Sequence, residues 1–196
     1  MKSLLYSVFI FLVMNQTVSG NDTNVVKELL KTRIEAAIAV LQKNNLDLQE
    51  KDKQVIEIVK PMFNFSLMAK LSLGKRYWPG LTKEEGQRFT ELFTKRLKAS
   101  YIDKLNLYTN EEVVFKTPIQ VKRKIKIPTE LISKNNKISI LYKFHKSKDS
   151  WLIYDLEIQG VSIISTYRSQ FDQVLNNGTI DELLIKLEKP EKPENK

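Results

Sequence analysis

Apolar residues recur at helical spacing through the first third of the chain. Between Val25 and Leu41 they return every third or fourth position, which predicts a long amphipathic helix that opens the folded part of the chain. A shorter helix is predicted over 51–59, and a third over 63–74 that stops at Gly74. The N-terminal part is therefore expected to be helical.

Two capping boxes mark the start of further helices. Thr82 and Glu85 stand three positions apart ahead of an apolar stripe that reaches Leu105. Thr179 and Glu182 stand in the same way ahead of the segment DELLIKL. One long helix and one short closing helix are predicted at these points.

Beyond residue 108 the hydrophobic period changes from helical to alternating. Apolar and polar residues alternate over 119–127 and again over 138–144, and a short strand is expected near 113–117. A third alternating run covers 151–159. Its inward face is predicted to carry Leu152, Tyr154, Leu156 and Ile158.

This order of elements predicts an α+β fold. The N-terminal helices would pack on one face of a curved antiparallel sheet of three to five strands, closed by one or two C-terminal helices, with an internal apolar cavity. The connections between the strands are too short for crossover helices, hence the antiparallel pairing. The 196 residues, 42% of them hydrophobic and 28% charged, suit one domain, predicted over 21–187.

Both ends of the chain are expected to lie outside that domain. Lys2 precedes an apolar run of about ten residues, and small residues follow at 19–20, so 1–20 is predicted to be a cleavable secretory signal peptide. The run is shorter than the roughly 20 residues needed to span a bilayer, so we expect a soluble mature protein. Residues 188–196 form a charged, proline-rich tail that is expected to be disordered.

The chain is basic, with a formal net charge of +9. For an exported protein this favours anionic surfaces such as lipid headgroups over nucleic acid, which we do not expect as a partner. The densest basic cluster, Lys122 to Lys126, alternates with apolar residues and is interpreted as the solvent face of a strand.

The residues that carry most enzyme chemistry are scarce. There is no cysteine, and the single histidine, His145, is expected to be exposed in a turn among lysines. No metal-ligand spacing, nucleophile elbow or glycine-rich phosphate loop occurs in the sequence. We therefore predict a binding protein rather than an enzyme, with no cofactor and no metal.

Arg168 interrupts an otherwise regular amphipathic pattern. The helix predicted between Gly160 and Asn177 has an apolar half and a polar half, and Arg168 falls within the apolar half. A permanently charged guanidinium at that position calls for a specific partner.

Three segments follow one another along the chain: FNFSLMAKLSLGKRYWPGL, a helix with the spacing F…F…L…Y, and WLIYDLEIQGVSIISTYRSQF. In this order they resemble the MlaC (toluene-tolerance) family of periplasmic phospholipid-binding proteins. The resemblance covers about 58–187. The chain departs from the family pattern at Asn64, where Asp is usual, and at Thr166, where Asn is frequent; a side-chain cap at Asn64 would survive the first change.

The resemblance implies a periplasmic shuttle that carries a phospholipid between an outer-membrane lipoprotein complex and an inner-membrane MCE-type/ABC transporter complex. Such a shuttle is expected to work as a monomer. Its acyl chains would enter a dry pocket between sheet and helices. The residues predicted to bind lipid are Phe65, Met68, Phe93, Leu97, Tyr101, Tyr142, Tyr154, Ile158, Val161, Ile164, Tyr167 and Arg168.

Arg168 has two interpretations within this picture. Its fork would contact the lipid phosphate, or it would pair with a strand carboxylate such as Asp155 and hold helix to sheet.

Two other functions compete with the shuttle. One is an enzyme of nuclear-transport-factor-like architecture, which would need an inward histidine. The other is a basic envelope module that binds anionic surfaces without a pocket, and its binding would collapse at high salt.

Overall fold

The computed structural model describes residues 20–105, 111–133, 136–148 and 150–189. They form six helices and six strands. The helices are α1 (Gly20–Leu41), α2 (Leu48–Val59), α3 (Phe65–Tyr77), α4 (Lys83–Leu105), α5 (Ile163–Leu175) and α6 (Ile180–Glu188). The strands are β1 (Glu112–Phe115), β2 (Ile119–Val121), β3 (Lys124–Ser133), β4 (Asn136–Ser147), β5 (Ser150–Ile158) and β6 (Val161–Ser162).

All strand pairs are antiparallel, in the order β1-β3-β4-β5-β6, with β2 pairing β3 beside β1. The predicted α+β class is confirmed. The described sheet has six strands, whereas three to five were expected. The additional strands were not recognised in the sequence because β2 and β6 are only three and two residues long. Strands this short leave little alternating pattern in the sequence.

The helix starts follow local capping chemistry. The backbone N–H of Glu85 donates to the Thr82 hydroxyl, and the Glu85 carboxylate accepts from the Thr82 N–H. Thr179 and Glu182 form the same reciprocal pair at α6. Both predicted capping boxes are confirmed. Asn64 caps α3 by accepting from the N–H of Leu67 at 3.0 Å.

The predicted stop at Gly74 is a break within α3. Gly74 has φ +80° and ψ 173°, a backbone conformation that glycine adopts at little cost, and the chain then makes one further turn to Tyr77. The 3₁₀ turn Trp78–Gly80 follows and leads into α4.

The basic segment is a hairpin and not part of one strand. β2 ends at Val121, Lys122 and Arg123 form the turn, and β3 starts at Lys124, with Lys122 at φ +55°. The prediction of one continuous strand over 119–127 is therefore wrong. Three consecutive basic residues, 122–124, span the turn, and no glycine or proline signals it.

A β-bulge overturns the predicted face of β5. Lys143 pairs with Asp155, whereas the next residue, Phe144, pairs with Ile153, so Tyr154 is the extra residue. Trp151 and Ile153 therefore point into the core ahead of the bulge. The inward placement predicted for Leu152 and Tyr154 is wrong, because an extra residue reverses the alternation.

The helices cover one face of the sheet in two groups. Val26 and Leu30 of α1 pack on the sheet against Phe144, Trp151 and Ile153. Helices α3 to α6 form a second cluster built on stacked and edge-to-face aromatic rings: Phe89, Phe93, Tyr167 and Phe171. Between the two clusters the interior is not filled.

No helix of the described ranges is long and apolar enough to cross a membrane.

Candidate functional site

An apolar cavity of about 580 Å³ lies between the sheet and helices α1 to α4. This volume falls within the range of roughly 300–1,000 Å³ typical of ligand pockets. Its wall is built almost entirely of aliphatic and aromatic side chains.

One wall of the cavity is formed by inward-facing side chains of β4 and β5. Ile138, Ile140 and Tyr142 point inward from alternate positions of β4. Leu156 stands opposite Tyr142 and Ile158 opposite Ile140 on β5. This wall follows from the two-residue period of strands, which places alternate side chains on one face.

The opposite wall is formed by the long N-terminal helices. Ile34 and Ile38 of α1 and Val55 and Val59 of α2 face the cavity at intervals of four residues. This spacing stacks side chains on one face of a helix. Phe63 and Phe65 close one side, with stacked rings whose centroids are 5.5 Å apart.

Charged groups occur at three places on this wall: Lys60, Lys98 and Glu111. The Nζ atom of Lys98 lies 5.6 Å from the centroid of the Phe65 ring, a cation–π arrangement. Lysine side chains commonly keep their ammonium group in water while their methylenes cover apolar surface, which fits Lys60 and Lys98 at the edge of the cavity.

Tyr142 contributes a phenol to this wall. Burial raises the pKa of its phenol to about 12. The hydroxyl is therefore protonated across the physiological range.

Five of the twelve residues predicted to bind lipid lie together in this wall. They are Phe65, Met68, Leu97, Tyr142 and Ile158. They come from four separate elements, α3, α4, β4 and β5, which the fold brings around one space. Their contact with lipid stays a prediction.

The other predicted residues lie elsewhere. Phe93, Ile164 and Tyr167 are buried in the helical cluster, where the Tyr167 hydroxyl lies 3.2 Å from that of Ser100. Val161 is 60% exposed. Tyr154 lies on the outer face, its ring edge-on to that of His145.

The side chain of Tyr101 lies outside the described residues.

Arg168 binds a backbone carbonyl. Its guanidinium donates from Nε, at 2.9 Å, and from Nη2 to the carbonyl oxygen of Leu71. That carbonyl belongs to the last turn of α3 before the break at Gly74, where helical carbonyls lose their intrahelical partners. The Arg168 side chain lies against Gly74, with its Cδ atom 3.6 Å from where a Cβ atom of residue 74 would stand.

The observed partner of Arg168 is therefore a backbone carbonyl and not Asp155. The predicted pairing with Asp155 is wrong, and Arg168 does not line the cavity. The proposed contact between Arg168 and a lipid phosphate stays a hypothesis.

Asp155 instead ties β5 to β4 and to α5. Its carboxylate accepts from Lys143 Nζ at 2.9 Å, from the Ser162 hydroxyl at 2.8 Å and from the N–H of Ile164 at 3.3 Å. Lys143 also pairs with Glu157 at 2.8 Å. Although burial lowers the pKa of Lys143, its hydrogen bonds to Glu157 and Asp155 raise it overall.

The α1 and α2 side of the cavity was missed by the sequence interpretation. Both helices were predicted, but none of their residues was among those predicted to bind lipid. A core stripe and a cavity wall have the same helical period. The family resemblance starts near residue 58 and so carries no signal for α1.

Comparisons with known proteins agree with this architecture. Residues 31–189 match the MlaC protein family. The "Intermembrane phospholipid transport system binding protein MlaC" of Haemophilus influenzae is 22% identical over 170 residues, covering 82% of this chain and 79% of that protein.

A solved structure has the same fold. It is the phospholipid-binding protein from Ralstonia solanacearum in complex with a phospholipid, with a TM-score of 0.74 and 22% identity, covering 82% of this chain and 93% of that one. Because the family match spans most of the chain and the fold agrees, this chain belongs to the MlaC family.

Proposed function

We propose that this protein binds a phospholipid in the apolar cavity and carries it across the periplasm. The observation that carries the proposal is the cavity itself, about 580 Å³ in volume and walled by aliphatic and aromatic side chains. The Haemophilus relative is named as a phospholipid transport binding protein, and the Ralstonia structure holds a phospholipid. Both support the same ligand class.

The energetics of lipid transfer require such a cavity. Two acyl chains contain about 30 methylenes, and at ~0.8 kcal/mol each their exposure to water costs roughly 24 kcal/mol. A carrier has to bury nearly all of that surface. It must not bind the lipid much more tightly than a membrane does, because delivery would then stall.

The partners of this transport are part of the proposal. The lipid would pass between an outer-membrane lipoprotein complex and an inner-membrane MCE-type/ABC transporter complex, with the carrier acting as a monomer. The signal peptide predicted over 1–20 would export the chain, and α1 begins at Gly20, next to that boundary. N-terminal sequencing of the protein recovered from the periplasm should start near Asn21.

The composition of the wall favours binding over turnover. The described wall contains no His/Asp pair, which an enzyme of nuclear-transport-factor-like architecture would use, and its titratable side chains are Lys60, Lys98, Glu111 and Tyr142. The remaining described wall residues are all apolar, which suits a ligand held by burial of its hydrocarbon.

Native mass spectrometry of gently purified protein tests the proposal. We expect a mass increment equal to one phospholipid, and this increment should persist at high salt because buried acyl chains are insensitive to screening. Loss of all bound mass at high salt would instead favour a surface module that binds anionic groups. Protein that never carries lipid under any gentle condition would refute the carrier.

A pair of matched variants links the bound lipid to the cavity. Ile140→Trp adds an indole to the cavity wall and should strongly reduce the lipid-bound fraction. Leu152→Trp places the same indole on the outer face of the same sheet and should leave that fraction unchanged. Circular dichroism of both variants establishes that they are folded.

A further inference from the structure

Tyr142 is the one tyrosine of the described cavity wall, and its neighbours are apolar. It lies on β4 between Ile140, which also lines the cavity, and Phe144, which is fully buried in the core. Its partners across the sheet are Ile127 on β3 and Leu156 on β5. The sheet therefore holds the ring firmly and directs it toward the cavity.

Among the residues that the structure describes, no group hydrogen-bonds to the Tyr142 hydroxyl, and the Tyr142 side chain is half-buried. Two other tyrosines of the described helices are satisfied: the Tyr77 hydroxyl donates to Asn176 at 3.2 Å, and that of Tyr167 meets Ser100 at 3.2 Å. Phenols removed from bulk water usually find a partner, because an unpaired polar group there is costly. The Tyr142 hydroxyl is therefore available to a partner that enters the cavity.

The required partner is a hydrogen-bond acceptor. Because burial raises the pKa of Tyr142 to about 12, the phenol keeps its proton and donates. A lone water molecule is a poor partner, since an ordered internal water needs two to four polar contacts. The wall residues beside Tyr142 in the sheet, Ile140, Leu156 and Ile158, have aliphatic side chains.

We propose that the Tyr142 hydroxyl donates a hydrogen bond to an ester carbonyl oxygen of the bound acyl lipid. This inference rests on the proposed function and makes it more specific. An ester carbonyl is the acceptor that lies next to the acyl chain, so it enters an apolar cavity together with the hydrocarbon. Tyr142 would then select ester-linked chains over ether-linked chains, which are nearly identical in shape but lack the carbonyl.

The test is a competition between two synthetic lipids. Mature protein stripped of lipid is offered equal amounts of diester and diether phosphatidylglycerol with the same chain length and headgroup, and native mass spectrometry measures the bound ratio. We expect wild-type protein to prefer the diester by roughly fivefold, the value of one neutral hydrogen bond. Tyr142→Phe keeps the ring and removes the hydroxyl, and it should bind the two lipids nearly equally.

Tyr154→Phe is the matched control, because it removes a phenol hydroxyl from the outer face of the same sheet. It should keep the wild-type preference. Equal binding of both lipids by wild-type protein, or an unchanged preference in Tyr142→Phe, would overturn the inference while leaving the carrier function intact. Failure of wild-type protein to take up either lipid would refute the proposed function itself.

Discussion

The Nδ2 atom of Asn64 lies 3.0 Å from the Nε2 atom of His145, across 81 residues of sequence. The amide oxygen of Asn64 already accepts from the N–H of Leu67, so its NH₂ group faces the histidine and donates. Nε2 must then be an unprotonated acceptor. The imidazole is neutral in this arrangement, and it links the sheet to the first turn of α3.

His145 is therefore not the exposed turn residue expected from the sequence. It lies within β4, half-buried, with its ring edge-on to that of Tyr154. Burial lowers the pKa of His145, and the positive charge of Lys124 lowers it further, against a backbone hydrogen bond at Lys146 that raises it. Lys124 itself lies over the Tyr154 ring, with its Nζ atom 5.2 Å from the centroid.

Stability should fall in mild acid because of this histidine. In the unfolded chain His145 takes up a proton near pH 6.5, whereas the folded protein resists protonation until a lower pH. The unfolded state therefore binds more protons between those two values, and the free energy of unfolding declines as pH falls through that window. Urea midpoints measured from pH 8 to pH 5 would show it.

His145→Gln is the control for this dependence, because an amide oxygen accepts from Asn64 and does not titrate. The variant should show a flatter profile between pH 7 and pH 5. An identical decline in both proteins would assign the acid sensitivity to other groups.

Asn64→Asp should reverse the sign of the histidine contribution. A carboxylate beside Nε2 favours the imidazolium, so the folded pKa of His145 would lie above its unfolded value. The resulting stabilisation is fully present below pH 6.5 and is lost as pH rises through the folded pKa. The variant should therefore resist mild acid better than wild type in the same urea titration, and the helix cap should persist.

Arg168→Lys should reduce stability and leave lipid binding unchanged. The guanidinium donates twice to the Leu71 carbonyl, and a lysine ammonium at that position does not reproduce the fork. We expect a loss of about 1 kcal/mol in the free energy of unfolding. Urea denaturation measures this loss, and native mass spectrometry measures the lipid-bound fraction.

Ser169→Ala, at the next and exposed position of α5, provides the baseline for substitution on this helix. If Arg168→Lys instead lost bound lipid at unchanged stability, the phosphate-contact hypothesis would regain support.

Asp155→Ala should lower the free energy of unfolding more than Glu157→Ala, although both residues pair with Lys143. Asp155 is 5% exposed and accepts from Lys143, Ser162 and the start of α5. Its loss removes three hydrogen bonds, and we expect a destabilisation of about 2 kcal/mol. Glu157→Ala removes only the more exposed partner of the same lysine and should cost about 0.5 kcal/mol. Equal losses in thermal or urea unfolding would contradict this division.

The sequence by itself determined the local structure of this protein. The capping boxes at Thr82 and Thr179, the Asn64 cap and the break at Gly74 depend on residues within a few positions of one another. The alternation on β4 and the change of period after residue 108 were sufficient for the α+β class. These features are legible because a helix cap or a strand period is a property of a short segment.

Only the tertiary structure decided which residues form the cavity. Periodicity marks a side chain as inward, but of two buried residues one turn apart on α4, Leu97 lines the cavity and Phe93 does not. The bulge at Tyr154 likewise depends on how β5 pairs with β4. The Asn64–His145 contact and the bond from Arg168 to the Leu71 carbonyl join residues that are 81 and 97 positions apart. Such pairings depend on how elements pack, which no short segment specifies.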